Sequence, residues 1–156
     1  MVNGVMNPIY FLCYHNRCRS QMAEAFAKHY SNGFLVIESA GIEPLDIHPL
    51  TIDVMKEVGI DISKHVSKKI NFKTFTHSNC IINIGNRIIE RSTVVTLGQS
   101  FGIYSEHWDI HNPIPMDETQ AEISNFRNVR DAIEQEVLSF FNLFHLPYQK
   151  EKLHSM

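Results

Sequence analysis

Cysteine is scarce in this chain: three residues in 156, an odd number. That excludes the disulfide framework that staples small secreted domains. Long apolar runs are missing as well, and none approaches the roughly 20 residues a membrane-spanning helix needs. The first eight residues hold no basic segment followed by an apolar signal core, so the expected location is cytoplasmic. Neither sign of charge dominates: 14 Lys and Arg against 17 Asp and Glu leave a net charge of −3. No global field then favours nucleic acid or an anionic membrane, and neither is an expected partner. The glycines around Gly98 and Gly102 make no nucleotide-binding fingerprint. Nine histidines form no cluster with ligand spacing. His107 and His111 flank Asp109, but Pro113 forbids a continuing helix there, so the pair reads as surface and no metal is expected.

What is present is ordinary for a soluble globular domain. Hydrophobic residues make up 44% and charged residues 20%, and 156 residues suffice for one core. There is no repeat and no linker. The expected division is an N-terminal extension over 1–8, a single domain over 9–146, and a C-terminal tail over 147–156.

The most informative stretch is Cys13-Tyr14-His15-Asn16-Arg17-Cys18-Arg19-Ser20. The apolar run Ile9-Tyr10-Phe11-Leu12 precedes it, and Gln21-Met22-Ala23-Glu24-Ala25-Phe26-Ala27 follows. The order is strand, short loop, helix, with a thiol at the strand's C-terminal end. The first N–H groups of a helix lack intrahelical partners and carry partial positive charge, so oxyanions bind there. A thiolate in the same place is stabilised. Arg19, in the first helical turn, has the planar fork that suits two oxygens of a phosphate-like group. Ser20 can donate to the sulfur and favour its anionic form. Asn16 tolerates the left-handed backbone that a tight anion-cradling loop needs. Cys13 and Cys18, flanking the loop, could also form a reversible bridge. Cys80 lies in the apolar run Cys80-Ile81-Ile82-Asn83-Ile84 and reads as a core strand residue.

The remaining pattern alternates strands and helices. Helical spacing of Met22, Phe26 and Tyr30 predicts a helix over 19–31, stopped by Ser31-Asn32-Gly33. A second strand is expected over Phe34–Ser39, with Ala40-Gly41 turning the chain. Pro49 starts a helix that runs to about Val58. Residues 79–84 predict a third strand, and Val94–Leu97 is the candidate fourth. Asp117, with Gln120 three positions on, is expected to begin the last helix, whose apolar stripe runs from Phe126 to Phe144. Such alternation implies a parallel sheet covered on both faces, with the Cys13 loop at the strand C-termini, where open α/β sheets bind ligands.

On these residues the chain resembles the low-molecular-weight protein tyrosine phosphatase superfamily, most closely its arsenate reductase branch. The resemblance rests on Ile9–Cys13, Asn16 and Cys18-Arg19-Ser20-Gln21-Met22-Ala23-Glu24. Gln21 stands where the phosphatases usually carry Pro. Glu38-Ser39-Ala40-Gly41-Ile42-Glu43, Met55 to His65, Glu106-His107-Trp108 and, more loosely, Phe126–Asp131 extend it. The resemblance implies a three-layer α/β/α fold on a four-stranded parallel sheet. It implies Cys13 as nucleophile, Arg19 as oxyanion clamp, Ser20 as the sulfur's partner, and residues 14–19 (Tyr14, His15, Asn16, Arg17, Cys18, Arg19) as the oxyanion cradle. No bound cofactor is implied.

Three departures bear on function. The branch's two further cysteines are missing: the first position is Gly85, and residues 86–107 hold none. An arsenate reductase built this way needs an external low-molecular-weight thiol, a glutaredoxin-type partner, or Cys18 as resolving thiol. The family's general acid, an Asp before Pro, is here Asn112-Pro113, which leaves Asp109 as the candidate replacement. A Gly position in the loop is His15, and Arg17 adds positive charge. The leading expectation is an arsenate reductase-like enzyme in which Cys13 attacks a bound tetrahedral oxyanion. The alternatives are a protein tyrosine or phosphomonoester phosphatase working through phosphocysteine, and a non-catalytic descendant that binds oxyanions or senses redox state through Cys13 and Cys18.

Overall fold

The computed structural model describes residues 7–85 and 88–148. Four strands form one all-parallel sheet in the order β2-β1-β3-β4. They are β1 (Ile9–Cys13), β2 (Ile37–Gly41), β3 (Cys80–Gly85) and β4 (Tyr104–Asp109). Among the described residues, five α-helices accompany them: α1 (Arg19–Ser31), α2 (Pro49–Glu57), α3 (Phe72–His77), α4 (Ile88–Ser100) and α5 (Ile123–Leu143). The strands' two-residue alternation divides the core. Ile9, Phe11, Ile37, Ile82, Ile84 and Trp108 pack with α1, α2 and α5. Tyr10, Leu12, Ala40 and Ile81 pack with Phe75, Val94 and Ile103 from α3, α4 and the approach to β4. The three-layer architecture is therefore as the sequence implied. No described helix is long and apolar enough to cross a membrane.

The first strand and first helix have the predicted bounds. Asn32 takes the left-handed cap at φ 49°, and its N–H donates to the Lys28 carbonyl. β2 begins three residues later than expected. Phe34 belongs to the turn after α1, where its N–H donates to Ser31, and its ring is exposed. Gly41 ends β2 rather than turning the chain. It lies beside Cys13 in the ladder and beside Lys69 on its other edge.

Two expectations are corrected in the second half. Val94–Leu97 is not the fourth strand; it lies inside α4, and the fourth strand is Tyr104–Asp109. The β-branched run followed by Gly98 suggested a strand, but Gly98 is where α4 packs directly against Ser105 of β4. Asp117 does not begin the last helix either. Its carboxylate accepts from the Thr119 N–H at 3.1 Å and Thr119 Oγ1 at 2.6 Å, closing a single 3-10 turn over Glu118–Gln120. Ala121 and Glu122 are extended, and α5 starts at Ile123. The short α3, capped by the Asn71 side chain on the Thr74 N–H, was not anticipated. Of the expected extension and tail, residues 1–6 and 149–156 lie outside the described residues.

Candidate functional site

The sheet sets Cys13 at the C-terminal end of a central strand, and α1 starts six residues later. Between them, the loop is held from outside by its carbonyls. Tyr14 O accepts from the Glu43 N–H (2.9 Å) and His15 O from the Leu45 N–H (3.1 Å). Asn16 O accepts from Ser67 Oγ (2.7 Å) and Gln21 Nε2 (3.2 Å). Arg17 O accepts from the His48 N–H (3.2 Å) and Thr51 Oγ1 (3.2 Å). In a trans peptide the next residue's N–H points opposite to the carbonyl. The amides of His15, Asn16, Arg17 and Cys18 therefore turn to the concave side of the loop. Cys18, the N-cap of α1, makes no side-chain cap bond, so the helix N-terminus is open to an external anion. Asn16 has φ 51°, the left-handed conformation expected of it.

A buried chain of hydrogen bonds runs from the sulfur into the core. Ser20 Oγ lies 2.9 Å from Cys13 Sγ. Asn16 Oδ1 accepts from the Lys68 backbone N–H at 2.9 Å, which fixes the orientation of its amide. Asn16 Nδ2 then donates to Ser20 Oγ (2.7 Å) and Ser39 Oγ (3.0 Å). With its oxygen already accepting, the Ser20 hydroxyl is set to donate its own proton to the sulfur. Ser39 donates in turn to the buried Glu24 carboxylate, which Lys28 pairs at 2.6 Å. Gln21 Nε2 also donates to Asn16 Oδ1 (3.0 Å), and Gln21 Oε1 meets His65 Nδ1 (3.2 Å). Burial, the largest influence on His65, holds its imidazolium below the ordinary value.

Arg19 is buried, and its Nη1 donates to the Ile110 carbonyl at 3.0 Å. One of the five guanidinium donors is thereby anchored on the segment that follows β4. The side chains of His15 and Arg17 bond to segments that flank the loop. His15 Nδ1 donates to the Glu43 carbonyl at 2.7 Å and stacks edge-on with Tyr14. Arg17 Nε donates to the Asp46 carbonyl (2.9 Å), and Nη1 pairs with Glu118 (3.2 Å). Asp109 ends β4, exposed, opposite Gly85 and two strands from Cys13. Asn112 uses Oδ1 to accept the Ile114 N–H at 3.1 Å.

All three cysteines are buried and reduced. Burial pushes the Cys18 thiol up to about 12 despite a bond from Thr51 and the nearby Arg19. Cys80 is likewise pushed up to about 12 by burial. It starts β3 opposite Ile9, at the far end of the sheet from Cys13, where it lines an apolar hollow with Phe140 and Phe144. Among the described residues, no group of three His, Cys, Asp or Glu could hold a metal ion.

Several supporting residues were not singled out from the sequence: Ser39, Glu24, His65, Ser67, Lys68, Asp46, His48 and Glu118. The i, i+4 series Ser20-Glu24-Lys28 is a readable sign of a polar stripe on α1 that starts at the sulfur. The others come from distant segments and carried no local signal.

A loop whose amides turn inward, closed on a cysteine at the end of a parallel strand, is the feature to set beside known α/β proteins. The family model for low-molecular-weight phosphotyrosine protein phosphatase matches residues 8–152, and the chain belongs to that family of cysteine-dependent enzymes. Arsenate reductase 2 of Staphylococcus saprophyticus is 34% identical over 134 residues, covering 86% of this chain and 95% of that protein. An arsenate reductase of Staphylococcus aureus is 36% identical over 132 residues, covering 85% and 94%. The solved structure of an arsenate reductase in the phosphate-binding state superposes with a TM-score of 0.73 at 29% identity, over 88% of this chain and 98% of that one.

Proposed function

We propose that this protein is an arsenate reductase-like enzyme in which the Cys13 thiolate attacks a bound arsenate. The observation that carries the reading is the Ser20–Cys13 contact at 2.9 Å, with Asn16 donating to Ser20 from behind. That chain aims a hydroxyl proton at the sulfur on the floor of the amide cradle. The likeness to arsenate reductases over most of both chains supports arsenate as the oxyanion. Arg19 neutralises the oxyanion while the amides of residues 15–18 hold its oxygens. Sulfur displaces one oxygen as water and an S–As bond forms. Two thiols, contributing one electron each, then convert As(V) to As(III): one arsenate and two thiols give arsenite, a disulfide and water.

Cys13 is the one nucleophile the cradle supplies, so the second thiol comes from outside. Cys18 is poorly suited to it, because a thiol pushed up to about 12 holds little thiolate at neutral pH. A low-molecular-weight thiol or a glutaredoxin-type protein in a cytoplasmic setting supplies the electrons. A phosphomonoester phosphatase is the second reading, favoured by the family itself. It meets an obstacle at Asn112, which cannot protonate a leaving phenolate; loss of a general acid costs on the order of 10²–10⁴ in rate. Turnover on arsenate with excess thiol, beside hydrolysis of an aryl phosphate, separates the two. Arsenate-dependent thiol oxidation that vanishes in Cys13→Ser supports the reductase. Aryl phosphate hydrolysis without any arsenate turnover overturns it in favour of the phosphatase. Neither activity, with oxyanion binding retained, leaves a binding protein.

A further inference from the structure

One feature at the rim of the loop has no part in the chemistry above. Arg17 holds a carboxylate, with the His48 ring beside it. Arg17 Nε is pinned to the Asp46 carbonyl at 2.9 Å, and Nη1 donates to Glu118 Oε2 at 3.2 Å. His48 Nε2 lies 3.6 Å from Glu118 Oε1. His48 Nδ1 accepts the Leu50 N–H at 3.1 Å, so the neutral ring carries its proton on Nε2, toward Glu118. His48 also packs on the Phe126 ring at 4.9 Å. The side chains of Arg17 and His48 are 15% and 9% exposed, whereas that of Glu118 is 51% exposed. Both side chains are therefore buttressed and fixed. The carboxylate that Arg17 holds is half in solvent on a single 3-10 turn.

We propose that Arg17 and His48 form a docking subsite for the carboxylate of an anionic low-molecular-weight thiol, which takes the place of Glu118. This rests on the arsenate reductase reading. Arg17 belongs to the same loop as Cys13, four residues on, and its backbone amide faces the cradle. On this proposal, a thiol anchored there by its carboxylate brings its sulfur to the oxyanion site. Its thiolate attacks Cys13 Sγ. The S–As bond breaks with its electron pair going to arsenic, arsenite leaves, and a mixed disulfide remains on Cys13. A second thiol molecule attacks the outer sulfur, giving the free disulfide and the Cys13 thiolate. Glu118 then returns to Arg17 and closes the rim.

The test compares 3-mercaptopropionate with 2-mercaptoethanol, which share a two-carbon spacing and differ in the carboxylate. The readout is the ratio of their KM values at saturating arsenate. Glu118→Gln removes the competing carboxylate and should shift the ratio about fivefold in favour of 3-mercaptopropionate; Arg17→Gln should shift it about fivefold the other way, the scale of one partly exposed ion pair. A lesion of folding would move both thiols alike and both variants in the same direction. An unchanged ratio in both variants, or shifts of the same sign, overturns the subsite while leaving arsenate reduction standing. No arsenate-dependent oxidation of either thiol by the wild-type protein overturns the reductase reading and the subsite with it.

Discussion

Gly41 is the position where one carbon atom should disable the loop. It pairs with Cys13 in the β1–β2 ladder, and its N–H donates to the Lys68 carbonyl at 2.8 Å while its own carbonyl accepts from Ile70 at 3.0 Å. The backbone is thus held on both edges and cannot retreat. A Cβ at this position would stand 2.7 Å from Asn16 N, 2.8 Å from Tyr14 O and 2.9 Å from His15 C. All three are backbone atoms of the cradle, and ordinary contact begins near 3.4 Å. Since β2 is fixed, the loop must move. Overpacking of this kind costs about 1–3 kcal/mol. For a domain of this size each kcal/mol lowers Tm by roughly 2–4 °C, so Gly41→Ala should lose about 2–12 °C. Displaced amides should cost more in chemistry than in stability, on the order of 10²-fold in kcat/KM for the oxyanion. The assay pairs thermal unfolding with phosphate protection of Cys13 against alkylation. A variant with wild-type Tm and undiminished phosphate protection would refute the packing argument, because it would mean the loop does not rest on Gly41.

Arg19→Lys should lower kcat/KM by about 10²-fold or more at little cost in Tm, since one ammonium cannot both bond the Ile110 carbonyl and grip two oxyanion oxygens; steady-state kinetics with a melt of the variant checks this. Stability should also fall on acidification. Burial holds the imidazoles of His48 and His65 below their ordinary 6.5. The folded state therefore binds fewer protons than the unfolded one, and the contribution present above about pH 6.5 is lost as pH falls through the lower folded values. Tm measured from pH 7.5 to 5.5 should decline, and the decline should flatten in a His48→Gln/His65→Gln double variant. An unchanged slope in that variant counts against the assignment.

The sequence revealed most where function is carried by neighbours in the chain. Ile9 to Ala27 gives strand, loop and helix in one stretch, so Cys13, Arg19, Ser20 and the left-handed Asn16 were all visible, and the element bounds came out as expected. The support beneath them was not visible. Ser39 reaches Asn16 only through the register of β2 against β1, and Lys68 and Ser67 arrive from a loop without regular structure. Glu118 meets Arg17 across 101 residues. Local propensity misled at Val94–Leu97, whose β-branched side chains suit a strand, because tertiary packing against β4 decided for helix. At Asp117 the side chain closed on Thr119 rather than on a longer helix, a local competition that the capping pattern alone does not resolve.

The most direct measurement is the stoichiometry of arsenate-dependent thiol oxidation in four proteins: wild type, Cys13→Ser, Cys18→Ser and Cys80→Ser. With an external thiol in excess, two thiols should be oxidised per arsenite formed in the wild type. The same stoichiometry should persist in Cys18→Ser and Cys80→Ser, and turnover should vanish in Cys13→Ser. Persistence of turnover without Cys13, or its loss without Cys18, would contradict the single-cysteine account.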